Sequence, residues 1–159
     1  MSDRVLASFD GIAVFIQGDL FLIHYGADAR VHRTRWLFDR LDEHFLRHRG
    51  DVLGMMIIPA EVATPDAATR AENSVRMKKL MGMRRLVTVA LGDAFKVSIV
   101  RTIMRTLVLI QGRAKDHFVV ETEAQGIDRL LEARSASTPS RAEIEQMLAE
   151  MRRSSPLAA

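Results

Sequence analysis

Ala94 to Gln111, AFKVSIVRTIMRTLVLIQ, constrains the fold more than any other stretch of the chain. Phe95, Ile99, Ile103 and Leu107 recur at near-helical spacing. Val97, Val100, Met104, Val108 and Ile110 widen the apolar stripe well beyond the ~100° arc that a half-exposed helix needs. Lys96, Ser98, Arg101, Thr102, Arg105 and Thr106 keep a polar edge. Such a helix must be covered on more than one side, by a sheet on one face and by a neighbouring helix or a second subunit on another. Ile99, Ile103 and Leu107 are expected in the core. That leaves Val100, Met104 and Val108 as the candidate face for docking on a partner or on a second copy. Lys96, Arg101 and Arg105 interrupt the segment, and charges there are too costly for a membrane span.

The stretches around this helix alternate between strand and helix patterns. Val5 to Phe9 and Ile12 to Gln17 are β-leaning runs separated by Asp10-Gly11, a hairpin turn pair, and Leu20 to Tyr25 follows the break at Gly18-Asp19. From Val31 to Arg49 the apolar spacing is helical, with Gly50 just past the end. Val52 to Pro59, VLGMMIIP, is an unbroken apolar run suited to a strand buried on both faces. Thr64-Pro65-Asp66 reads as a helix start, with Thr64 at the N-cap, and that helix is expected to run from Pro65 to Met81 until Gly82 stops it. Arg85 to Leu91 is a further strand. Gly112 closes the long helix, His117 to Val120 is a last strand, and Ala124 to Ala133 is another helix.

Ser135 to Ser140 is a linker by composition. Ser140 and Glu143 form an S-x-x-E capping box that opens a helix to about Arg152. Its apolar stripe, Ile144, Met147, Leu148 and Met151, must dock on the domain, on a second copy or on a partner, since a helix this short is marginal alone. The expected organisation is one domain over residues 1–134 and an appendage over 135–159. At 159 residues the chain can bury roughly 70% of its extended surface without a staple, and it has no cysteine to make one. The fold class is α/β: a mixed, mostly parallel sheet of about five strands opening with an antiparallel hairpin, covered by about four helices, plus a C-terminal tail helix.

That order resembles the STAS fold (sulfate-transporter and anti-sigma-factor antagonist, SpoIIAA-like), and more closely the STAS/SEC14-like proteins of bacteria. The likeness covers roughly Val14 to Glu132. It rests on GDLFLIHY, VLGMMIIP, TPDAATRAENSVRMKKL, RLVTVAL, GDAFKVSIVRTIMRTL and EAQGIDRLL. It implies a non-enzymatic protein-interaction or regulatory domain, with a SEC14-like carrier of a lipid or small apolar molecule as the alternative. Regulatory STAS domains carry an Asp-Ser/Thr-Ser-Gly-type segment, phosphorylated by a partner kinase, where this chain has IPAEVATPDAATR. The segment is missing. Thr64 is the nearest hydroxyl and thus the phosphosite candidate, and Thr69 lies within the helix.

The residues themselves offer little chemistry. There is no G-x-S-x-G, G-x-G-x-x-G, P-loop or H-E-x-x-H pattern, so no catalytic, cofactor or metal residue is assigned. His44 and His48 share a helix face at i,i+4, but Arg47 and Arg49 beside them make a poor metal site; His24 and His117 either face a shared pocket or, the commoner case for a strand histidine, are packing or edge residues. Met77, Met81, Met83 and Met104 are either core filling, the commoner case, or an adaptable binding surface. The pI is about 9.8, yet the net charge is only +3. Basic clusters at Arg30/Arg33/Arg35, at Arg47/His48/Arg49 and at Arg76/Lys78/Lys79/Arg84/Arg85 read as solvated helix faces in preference to a nucleic-acid surface. The N-terminus lacks the pattern of a signal peptide, and a cytoplasmic location is expected.

Overall fold

The computed structural model describes residues 4–78, 83–110 and 116–154, leaving aside the side chains at 107, 108 and 110. Six strands lie in one sheet in chain order: β1 (Arg4–Phe9), β2 (Ile12–Gln17), β3 (Leu20–Tyr25), β4 (Leu53–Ile58), β5 (Arg85–Ala90) and β6 (His117–Val120). The described helices are α1 (Val31–Arg47), α2 (Ala67–Lys78), α3 (Ala94–Ile110), α4 (Glu123–Leu131) and α5 (Arg141–Ser154). The α/β class is as expected. The sheet holds one strand more than the expected five, because β1, β2 and β3 all pair as an antiparallel meander. β3 to β6 are parallel.

Local chemistry accounts for the meander. Asp10 and Gly11 have φ of 47° and 86°, the left-handed pair that a tight hairpin needs, and Phe9 faces Ile12 across it. Phe21 on β3 stands in register with Gly54 on β4, and a methyl added at 54 would lie 2.1 Å from Phe21 Cζ. The glycine therefore makes room for the ring. β4 and β5 are buried along nearly their whole length, as strands covered on both faces must be.

The crossover helices α1, α2 and α3 cover one face of the sheet, where Phe21, Ile23 and Leu86 meet Leu37, Phe38, Met77 and Val100. α4 and α5 cover the other, where Phe15, Leu22, Met55 and Val87 meet Ile127, Leu130 and the α5 stripe. Each large side chain so buried contributes about 1.5–3 kcal/mol. The α5 residues offered as an interface, Ile144, Met147, Leu148 and Met151, are 0–3% exposed and belong to this chain's own core. The capping box forms as expected: Ser140 N–H donates to Glu143 Oε2 (2.7 Å), and Glu143 N–H donates to Ser140 Oγ (3.3 Å). The preceding linker is also tied down. Asp19 is 2% exposed, and its Oδ2 accepts from Ser135 Oγ at 2.8 Å and Thr138 Oγ1 at 3.0 Å and pairs with Arg84. Residues on both sides of the expected 134/135 boundary thus share one core.

α3 is rotated from its expected setting. Val97, Val100 and Met104 face the sheet, 3–6% exposed, while Ile99 and Ile103 are only half-buried. Val100 and Met104 are therefore core, not a free docking face. The reason lies with Phe95, which is 75% exposed and shares its side of the helix with Thr102 and Thr106, seven and eleven residues on. Starting the repeat from Phe95 turned the expected face away from the sheet. Leu107 and Val108 have side chains outside the described set, and Met81, Gly82 and Gly112 lie outside the described residues. Thr64 is corrected as well: the side chain that caps α2 is Asp66, whose Oδ1 accepts Thr69 N–H at 2.8 Å. Thr64 stands two residues earlier, exposed in the β4–α2 loop.

Candidate functional site

Packing between the sheet and α1–α3 leaves an apolar pocket of about 80 Å³. Strand alternation builds its floor: Phe21, Ile23 and Tyr25 from β3, Met56 and Ile58 from β4, and Leu86 from β5. Leu37, Phe38 and Leu41 of α1, Met77 of α2, and Val100, Ile103 and Met104 of α3 form the walls. Ala29 and the loop from Val62 to Pro65 border it where β3 and β4 end, the side of a parallel sheet at which α/β proteins take ligands. The free volume equals about three water-sized groups at ~30 Å³ each. It suits a narrow unbranched chain better than a ring.

A few polar groups interrupt this lining. Tyr25 is in contact with the pocket and has no hydrogen-bond partner among the described residues, and burial pushes its phenol pKa up to about 12. Asn73 of α2 also lines it, again without a hydrogen bond among the described residues, and Thr64 stands at the rim. Lys96, in the first turn of α3, reaches across to the β4–α2 loop. Its Nζ donates to the carbonyls of Pro59 (3.0 Å), Ala60 (2.6 Å) and Val62. Desolvation holds the ammonium pKa below the usual lysine value against the opposing pull of Glu61, Asp28 and Asp93. Lys96 therefore acts as a brace that fixes the rim.

Several residues singled out in the sequence meet here. Met77, Met83 and Met104 converge on the pocket with Met56, so the methionines are both core and lining; Met81 lies outside the described residues. The pattern did not point to Tyr25, Asn73 or Lys96. The one available signal was a lysine in the first turn of a mostly apolar helix.

The histidines do not converge. His24 is in register with Ile57 on the α4/α5 face, whereas His117 is in register with Leu86 on the opposite face and bonds Thr88 Oγ1 through Nε2 at 3.1 Å. The two share no pocket. The rings of His44 and His48 are 4.8 Å apart, and burial pushes the His44 pKa down to about 4. Among the described residues no three His, Asp or Glu side chains converge as metal ligands. The arginine clusters are drawn into ion pairs: Arg33 with Asp10, Arg35 with Glu72, Arg47 with Glu43, Arg76 with Asp39 and Asp42, Arg84 with Asp19 and Asp51, Arg85 with Glu132. No described helix is long and apolar enough to cross a membrane. No protein-family model, curated protein or solved structure matches the chain.

Proposed function

We propose that this chain is a non-enzymatic binding domain of STAS-like type, and that what it binds is a small apolar molecule held between the sheet and α1–α3. The observation that carries the reading is the methionine- and aromatic-lined pocket at the ends of β3 and β4. Pockets of this make-up, mostly apolar with a few polar groups, are the usual form of a small-molecule site. Four methionines allow the walls to adapt to a chain longer than the free volume. The test is titration of the purified chain with n-hexane, followed by calorimetry. Uptake that is lost in Ala29→Phe, which fills the half-buried rim position, supports the reading. A wild-type chain that takes up no hydrocarbon, and carries no extra mass in native mass spectrometry, refutes it.

Docking on a second copy is favoured by a different observation. β1 is an open sheet edge on which Val5, Leu6 and Phe9 are 48%, 39% and 40% exposed. Two-fold antiparallel pairing centred on Ala7 would set Val5 opposite Phe9, so apolar meets apolar. A dimer lost in Leu6→Lys supports this reading. A wild-type monomer at tens of micromolar ends it.

A further inference from the structure

The charges around the pocket restrict the polar end of its occupant, on the premise that the pocket is the binding site proposed above. Lys96 is the one charged side chain among the described lining residues. Its three ammonium protons are already committed to the carbonyls of Pro59, Ala60 and Val62. A carboxylate or phosphate would have to pull Lys96 off those carbonyls, leaving them without their donor. An ammonium group fares no better. Asp28 accepts Ala63 N–H at 2.8 Å and lies 3.8 Å from Arg30, Asp93 accepts Lys96 N–H at 2.9 Å, and neither these acids nor Glu61 reach the lining. A cation inside would face Lys96 with no counter-charge, and burying an unpaired charge is strongly unfavourable.

The other lining residues that carry hydrogen-bonding side chains are neutral: Tyr25, Asn73 and Thr64. The first two have no partner among the described residues, so each can both donate to and accept from a ligand without breaking an existing bond. We infer that the pocket takes a neutral amphiphile, a narrow hydrocarbon chain ending in a hydroxyl, carbonyl or amide, and rejects the carboxylate and ammonium of the same length. The narrow apolar volume selects the chain. The uncharged polar trio selects the head.

The test uses the full chain at pH 7 and four probes of one length: n-hexane, 1-hexanol, hexanoate and hexylammonium. Calorimetric titration should show 1-hexanol binding at least about tenfold more tightly than either ion, the scale set by desolvating an unpaired charge. Tyr25→Phe should weaken 1-hexanol relative to n-hexane and leave n-hexane itself unchanged. A preference below tenfold, with n-hexane still bound, overturns the neutral-head inference and leaves the pocket reading standing. Failure of all four probes, n-hexane included, removes both.

Discussion

Lowering the pH from 7 to 5 should destabilise this fold through the buried His44 and the half-buried His117. Burial pushes the pKa of His44 and of His117 from 6.5 down to about 4. His44 packs among Phe21 and Phe45 with its backbone-bonded ring 4% exposed, and His117 is held against Thr88. Between pH 6.5 and 4 the unfolded chain therefore binds protons that the folded chain excludes. A histidine with a depressed folded pKa contributes its full stability above 6.5 and loses it as the pH falls toward 4. With those two values, each histidine withdraws about 2 kcal/mol between pH 7 and 5, and the pair about 4 kcal/mol. That is a large part of the roughly 5–15 kcal/mol by which a domain is stable.

Urea unfolding at the two pH values measures the loss directly, and His44→Gln with His117→Gln isolates its source. Each single variant should lose about 2 kcal/mol less than wild type over this interval and the double variant about 4 kcal/mol less, whatever their absolute stability at pH 7. The window is clean of the paired carboxylates: Asp10, Asp66 and Glu143 have pKa values lowered by hydrogen bonds and titrate below it. A wild-type stability that is flat from pH 7 to 5, or a double variant that loses as much as wild type, would refute the assignment.

Three further substitutions test the packing. Gly54→Ala should cost about 1–3 kcal/mol in urea unfolding, because the added methyl collides with the Phe21 ring and the ring is held by Phe45 and His44. Met147→Ala should cost about 2–5 kcal/mol as a core truncation, whereas Leu46→Ala, at an 81% exposed position, should change stability by less than about 0.5 kcal/mol; equal effects would mean that α5 is not part of the core. Asp66→Ala should lower the melting temperature and Thr64→Ala leave it almost unchanged, which a thermal melt of the two variants distinguishes and which a reversed order would contradict.

What could be read in advance followed from how strongly each signal is tied to one backbone geometry. Asp10-Gly11 and the Ser140–Glu143 box each satisfy a specific backbone need, and both appear where expected. The continuous VLGMMIIP run, bounded by Gly50-Asp51 and closed by Pro59, suited a strand covered on both faces, and β4 is one. Thr64 failed because two capping side chains stood two residues apart, and the choice between them depends on where the chain turns after Pro65. Asp66 won, with its carboxylate placed for the Thr69 amide. The α5 stripe was legible as buried, but its cover was not, since Phe15 and Leu22 lie more than a hundred residues away in sequence. Tyr25 and Asn73 went unnoticed for a similar reason: neither belongs to a motif, and only the fold sets them around one cavity.

The setting of α3 ties the sequence problem to the proposed site. A helix packed flat on a sheet needs one apolar arc, and the position of that arc can be read from its polar complement. α3 has more to satisfy. Val97, Val100 and Met104 fill the interface with the sheet, while Ile103 and Lys96, on an adjacent side, complete the pocket wall and brace its rim. Phe95 and Leu109 are exposed at 75% and 62% and add apolar residues that the described residues do not cover. Summed around the helix, these tasks spread hydrophobic residues so widely that the amphipathic phase is blurred. The over-wide stripe thus marks a helix that walls a cavity as well as a core. By the same argument, polar substitution at Ile103 should empty the pocket of hydrocarbon at far smaller cost to folding than the same change at Val100, where the side chain has no route to solvent.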